Sequence, residues 1–197
     1  MYGRIDAGKL KLDPVERRAR LGTLTDEPYP GEAECLRALL DAADVAFCAT
    51  RVAVSATCGA VSLDGVEVKS EALARVLSGC SDAYLLVVTL GFGIDRLTMK
   101  RTDTYGEFLS DAIADCLIEA AADEVCLRLG CKERLTNRFS PGYADLPLDF
   151  GRDLVGLTGA DKLLGVRFTE SGLMTPKKTV SAVVGIRSSS AVIGEKE

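Results

Sequence analysis

The chain has 197 residues, 47% hydrophobic and 27% charged, and its 24 Lys plus Arg against 29 Asp plus Glu leave a net charge of −5. That is enough chain for one folded core, and the acidic balance without a dominant basic patch argues against nucleic acid or an anionic membrane as partner. Histidine is absent, which excludes a Ser-His-Asp or Cys-His pair, an imidazole base and any histidine metal ligand, and leaves carboxylates, tyrosines, arginines, lysines, thiols or a bound cofactor to carry any chemistry.

The N-terminus, Met1-Tyr2-Gly3-Arg4-Ile5-Asp6, places charges where a secretory leader needs an apolar run. Asp13-Pro14-Val15-Glu16 reads as an N-cap, a proline at the first helical position and an acidic first turn, opening a short helix that Gly22 ends. A second helix is expected over 32–46, with Cys35, Leu36, Leu39, Leu40, Ala43 and Phe47 on one stripe. Strand sequence follows over 51–56. Asp64-Gly65 then marks a tight hairpin between Ala60–Leu63 and 66–68. Ser70 caps a two-turn helix over 71–77, closed by Gly79. The run Tyr84-Leu85-Leu86-Val87-Val88 predicts a central strand over 83–90, covered on both faces.

The longest helix signal spans 104–129, with Leu109, Ile113, Cys116, Leu117, Ala120 and Ala121 as its apolar stripe and Gly130 as its stop. Asp115, Glu119 and Asp123 line another face at i, i+4 spacing, in the manner of a solvated helix surface. Short helices are expected over 149–155 and 159–164, the second capped by Thr158, and closing strands over 166–169 and 179–186. Neither long uncharged stretch, 52–63 or 83–94, reaches the ~20 residues of a membrane span, so no membrane partner and a cytoplasmic location are expected. Seven cysteines, an odd number with no Cys-x-x-Cys spacing, predict reduced structural thiols in place of a disulfide framework. Strands and helices do not alternate strictly. The prediction is therefore α+β: a single domain over 1–187 with a mostly antiparallel sheet, flanking helices and one long helix, then a polar, frayed tail over 188–197.

Three stretches invite a functional reading. Gly91-Phe92-Gly93 follows an apolar strand as a phosphate-binding loop would, but the third glycine of that pattern falls on Arg96 and no acidic strand end follows. A plain strand-ending turn is the better reading. The stretch 138–147 must be a loop, since Gly142 and two prolines forbid regular structure. Its Arg138 offers a planar fork for a carboxylate and its Tyr143 an aromatic face with a hydroxyl. Taken alone it is either an ordinary turn with a packed tyrosine, the favoured reading, or a holder of a small anionic or zwitterionic ligand. Thr169-Glu170-Ser171-Gly172 ends a strand on an acidic and hydroxyl pair. Its plain reading is a hairpin loop.

Taken in order, Ala114-Asp115-Cys116-Leu117-Ile118-Glu119-Ala120, then Arg138-x-x-x-Gly142-Tyr143-x-x-x-Pro147, then Thr169-Glu170-Ser171-x-x-Met174-x-Pro176-x-x-Thr179-Val180-Ser181 resembles the activation domain of cobalamin-dependent methionine synthase, in a short, free-standing form. The resemblance covers about 105–186. It implies binding of S-adenosylmethionine (SAM) and methylation of a corrinoid that has slipped to the cob(II) state. The cobalamin would be bound by a separate methionine synthase or other corrinoid-binding methyltransferase, and one electron would come from a flavodoxin- or ferredoxin-like donor. Carried over residue by residue, the resemblance implies a SAM site of Glu119, Arg138, Phe139, Gly142, Tyr143, Glu170 and Ser171, with no catalytic acid or base and no metal ligand in this chain. After Tyr143 the chain departs from the family pattern: Asp145-Leu146-Pro147-Leu148-Asp149 stands where the family has a cysteine and a histidine.

An arginine fork suits the carboxylate of SAM, an acidic residue its amino group, and a tyrosine its adenine or sulfonium. The alternatives to a reactivation role are an unrelated SAM-dependent small-molecule methyltransferase and a non-catalytic accessory subunit of a corrinoid enzyme.

Overall fold

The computed structural model describes residues 1–99, 103–131 and 133–187, so the tail expected over 188–197 lies outside the described residues. The chain is α+β. Its strands are β1 (Tyr2–Arg4), β2 (Ala46–Thr57), β3 (Ala60–Leu63), β4 (Val66–Lys69), β5 (Cys80–Thr89), β6 (Arg134–Leu135), β7 (Arg167–Phe168), β8 (Met174–Thr175) and β9 (Thr179–Arg187). The helices are α1 (Pro14–Leu21), α2 (Glu32–Ala42), α3 (Glu71–Val76), α4 (Phe92–Thr98), α5 (Thr104–Gly130), α6 (Phe150–Thr158) and α7 (Ala160–Leu163). A seven-stranded sheet runs β4-β3-β2-β5-β9-β6, with β1 added beside β2; β7 and β8 form a separate hairpin. Every pairing among the described residues is antiparallel.

Strand β5 sits at the centre because its apolar run can be buried on both faces, and Leu85, Leu86, Val87 and Val88 are all 0% exposed. Leu86 and Val88 point to one side. There they join Phe47, Ala182 and Val184 under α1, α2, α4 and the 27-residue α5. Leu85 and Val183 point to the other side and meet α3, α6 and Leu146. The period-2 geometry of a strand thus divides one sheet between two cores.

Local signals set most element ends. The Asp13 carboxylate accepts from the Val15 and Glu16 amides at the start of α1, and Gly22 closes that helix at φ 66°. Asp64 and Gly65 both take positive φ, 52° and 88°, as a two-residue hairpin turn demands. Three expectations need correction. Helix α2 stops at Ala42, short of 46, because Asp44 donates its amide to Leu90 and Ala46 and Phe47 pair with Thr89 and Val88 across the sheet; this pairing overrides the helical spacing of Ala43 and Phe47. Thr158 is the last residue of α6, not the cap of α7, and its hydroxyl donates to the Leu154 carbonyl at 2.7 Å. The strand expected over 166–169 is a two-residue piece of the separate hairpin. The glycines at 91–93 end β5 as expected, but they also open α4, and a Cβ on Gly93 would lie 1.9 Å from the Ala42 carbonyl oxygen. They serve close packing of α4 on the end of α2. Among the described residues, no helix is long and apolar enough to cross a membrane.

Candidate ligand-binding site

The acidic face of α5 is more than a solvated stripe. Asp111, Asp115, Glu119 and Asp123 recur at i, i+4, and each meets a cation carried by another part of the chain. Lys178, just before β9 and itself buried, reaches Asp111 at 2.9 Å and Asp115 at 2.5 Å. Lys177 reaches Asp111 at 3.0 Å, and Arg20 of α1 reaches Asp115 at 3.3 Å. Burial pushes the Asp111 carboxyl up, but hydrogen bonds from Lys178 and Lys177 outweigh it and hold the group below the ordinary aspartate value. The hydrogen bond to Asp111 in turn holds the Lys177 ammonium above its ordinary value.

At the C-terminal end of this ladder stands Arg138. One terminal nitrogen donates to Glu119 at 2.6 Å and the other to Asp123 at 2.7 Å. The arginine is positioned by the loop that it opens. Phe139 exchanges both backbone hydrogen bonds with Val183 of β9, each at 2.9 Å. Within the loop, Tyr143 donates its amide to Ser140, Gly142 donates to Leu146, and Leu146 donates back to Tyr143. Gly142 sits at φ 88°, where a side chain would be strained and would crowd Leu148.

Two anchors fix the far end of the loop. Leu146 is buried at 2% exposure among Leu85, Phe150, Leu154 and Val183. The Asp145 carboxylate accepts from the Ser70 hydroxyl at 2.6 Å and from the Glu71 and Ala72 amides at 2.6 and 3.2 Å, closing the N-terminus of α3. These bonds, with Ser70 the largest cause, hold the Asp145 carboxyl below the ordinary aspartate value. The departure after Tyr143 thus has a structural role. Ser70 was legible as a cap from sequence; its partner 75 residues away was not.

The loop, α5, β9 and the β7–β8 hairpin enclose two adjoining hollows of about 390 and 330 Å³ that share Glu119, Ser140, Tyr143 and Val180. Both fall within the roughly 300–1,000 Å³ of small-molecule sites. Arg138, Asp123 and Cys126 line one; Leu148, Phe168, Leu173 and Met174 line the other. Burial keeps the Cys126 thiol above its ordinary value despite the nearby guanidinium. Arg152 stacks over Phe168 at 4.6 Å and ties the hairpin to α6. Tyr143 is 58% exposed and meets Phe139 edge-on at 6.2 Å. A further hollow of about 470 Å³ lies on the other side of Arg138, walled by the segment around Lys9–Glu16 and by α5.

Of the residues singled out from sequence, Glu119, Arg138 and Tyr143 come together at these hollows. Phe139 and Gly142 shape the loop without lining them. Glu170 and Ser171 do not reach them: both are exposed at the hairpin tip, where the Ser171 hydroxyl lies 2.9 Å from that of Thr169. The hairpin presents Gly172, Leu173 and Met174 instead. Asp123 was visible as part of the acidic stripe, but nothing in the sequence paired it with Arg138. Glu119, Asp123 and Arg138 together carry one net negative charge, and neither these side chains nor Tyr143 form a nucleophile–base pair. The arrangement can bind and orient a small zwitterion or cation.

A model of the family described as the activation domain of vitamin B12-dependent methionine synthase matches residues 70–193. A crystal structure of the MetH reactivation domain bound to AdoHcy shares the fold, with a TM-score of 0.69 at 16% sequence identity over 98% of this chain and 80% of that one. No curated protein matches the chain.

Proposed function

The chain belongs to the activation-domain family of vitamin B12-dependent methionine synthase, and from that footing we propose that it binds SAM around Arg138 and methylates an oxidised corrinoid carried by a separate protein. One electron comes from a flavodoxin- or ferredoxin-like donor. The observation that carries this reading is the Glu119–Arg138 pair, set at 2.6 Å where the two hollows adjoin.

The residues present suit the ligand. SAM has a carboxylate, an ammonium and a sulfonium, for one net positive charge, and the Glu119–Asp123–Arg138 cluster carries one net negative charge. Arg138 would take the carboxylate, Glu119 the ammonium, and the exposed ring of Tyr143 would lie against the adenine or sulfonium. Gly142 and the Phe139–Val183 pairing hold that loop in shape. Glu170 and Ser171 would touch only the outer end of the ligand or the partner. AdoHcy, the demethylated product of SAM, occupies the related reactivation domain, which supports a ligand of this class.

SAM supplies the methyl group and the partner's corrinoid supplies the cobalt that accepts it. This chain, with no histidine to ligate cobalt, binds the donor, orients its methyl and keeps water from it. The fully antiparallel sheet and the packing role of Gly93 leave no basis for a Rossmann-type methyltransferase. A non-catalytic accessory role draws on one observation: Arg138 already pairs with two carboxylates of its own chain.

Calorimetric titration with SAM and AdoHcy separates these readings. Saturable binding that Arg138→Ala abolishes supports ours, and a flat titration selects the accessory role. Anaerobic absorption spectroscopy of a cob(II)alamin-loaded partner, with SAM and a low-potential donor, then tests the reaction. Methylcobalamin forming no faster with the protein than without it would end the reactivation reading.

A further inference from the structure

The acidic ladder on α5 is matched by cations toward one end and not toward the other. Asp111 and Asp115 meet Lys177 and Lys178, and Arg20, which also reaches Asp115, is shared with Glu16. Further along the helix, Glu119 and Asp123 share a single cation, Arg138. Among the described residues, Lys177 is the only further charged side chain lining the two adjoining hollows, and Asp111 takes up its charge at 3.0 Å. On the far side of Arg138, Lys9, Lys11 and Arg128 are set against Asp6, Asp13 and Glu124. One carboxylate is therefore in surplus, and it stands at the candidate site. Glu119 is the more buried partner of Arg138; Asp123, 67% exposed, carries the surplus at the rim.

We infer that Asp123 is a specificity-determining residue: its charge makes the site favour the sulfonium cation SAM over the neutral thioether AdoHcy. The ligand is then held more tightly before methyl transfer than after it. This rests on the reading that SAM binds around Arg138. The two ligands share the carboxylate, the ammonium and the adenosine, and differ by one methyl group and one positive charge. In the transfer the C–S electron pair stays on sulfur, while the partner's reduced cobalt supplies the pair for the new Co–C bond. The ligand thereby loses the charge that the surplus carboxylate attracts, and product release is favoured. Arg138 keeps N–H donors beyond the two that its ion pairs use, so the carboxylate of either ligand binds it with Asp123 still in place.

The decisive quantity is the ratio of the two affinities. Asp123→Asn removes the charge and leaves an oxygen that can accept from Arg138. Any change in how Arg138 grips the ligand carboxylate acts on both ligands alike and cancels in the ratio. What remains is the attraction between the Asp123 carboxylate and the sulfonium. Unit charges on the order of 7 Å apart in water-like surroundings shift an equilibrium about two- to three-fold, and that is the effect expected.

The test is titration of the full chain and of its Asp123→Asn variant with SAM and with AdoHcy, at low salt and again at about 1 M salt. At low salt the preference for SAM over AdoHcy falls about two- to three-fold in the variant. At about 1 M salt, where charges are screened beyond about 3 Å, parent and variant show the same preference. A ratio that Asp123→Asn leaves unchanged at low salt overturns the inference, as equal weakening of both ligands would, since that marks a purely structural role. A change in the ratio that persists at high salt overturns it too, because a methyl contact and not a charge would then be responsible. In each of these cases the ligands still bind, so the SAM-site reading stands. Absence of binding of both ligands to both proteins refutes that reading and removes this inference with it. Because Asp123 is mostly exposed, thermal melts of parent and variant should overlay, which confirms that the same fold is being titrated.

Discussion

Leu146→Ala tests whether burial of one side chain holds the Arg138 loop in shape. Leu146 is 2% exposed and packs with Phe150, Leu154, Leu85 and Val183 beneath the sheet. Truncating a fully buried leucine costs about 3 kcal/mol, within the 2–5 kcal/mol span for such changes, because the transfer energy is lost and a cavity is left. For a chain of this size each kcal/mol lowers Tm by about 2–4 °C, so a fall of about 6–12 °C is expected. With a total stability of roughly 5–15 kcal/mol the variant still folds. Urea unfolding should show a lower midpoint at unchanged slope.

The informative result comes from ligand binding at a temperature where the variant is folded. Leu146 follows Asp145 and closes the turn on Gly142 and Tyr143, so its loss slackens the arm that presents Tyr143. Lost pre-organisation of this kind costs about ten-fold in affinity for AdoHcy, or 1.4 kcal/mol. If affinity stays within about two-fold of the parent while Tm falls as expected, the loop is held by something other than this anchor and the reasoning is wrong. A fall in Tm below about 2 °C would refute the burial argument itself.

Three further outcomes follow from other parts of the molecule. In Gly93→Ala the new methyl meets the Ala42 carbonyl oxygen at 1.9 Å, so α4 must lift from α2 and Tm must drop in a thermal melt; an unchanged Tm would show that the two helices are not in contact. The Asp145 carboxyl lies below its ordinary value in the folded chain, so it adds stability that is complete above about pH 3.9 and is lost as pH falls through the depressed native value. Thermal melts from pH 6 to pH 2 should therefore show a shallower acid limb for Asp145→Asn than for the parent, and parallel limbs would remove the latch. Cys58 and Cys131 are exposed whereas burial raises the Cys116 thiol to about 11, so a disulfide reagent at neutral pH should label the first two in the native protein and Cys116 only after unfolding. Native-state labelling of Cys116 at the rate of Cys131 would contradict its burial.

What could be read from the sequence was what short-range physics decides. The Asp64-Gly65 turn, the Asp13 cap and the doubly buried run of β5 each follow from a few adjacent residues, and each appears where expected. The failures share a cause. Helix α2 ends early because β2 claims Ala46 and Phe47 for pairing with β5, and Asp145 finds its partners on a helix far back in the chain. The motifs fall on three segments that the fold brings around the same two hollows, but only packing decides which residue of a hairpin faces inward. Glu170 and Ser171 point out while Leu173 and Met174 point in, because Thr169 and Leu173 close the hairpin between them.

Strand β9 carries a consequence for the order of assembly. Its residues pair with β5 roughly a hundred positions earlier, a separation that makes loop closure slow and the contact late to form. The same strand receives Phe139, and the lysine just ahead of it docks on Asp111 and Asp115. During synthesis the nascent chain can build its hairpins and helices α1 to α5 from material already emerged, while Arg138 has no fixed position until 179–187 is added. The candidate site is therefore assembled only once β9 has paired. A chain lacking β9 would leave Phe139, and with it Arg138, without the strand that positions them.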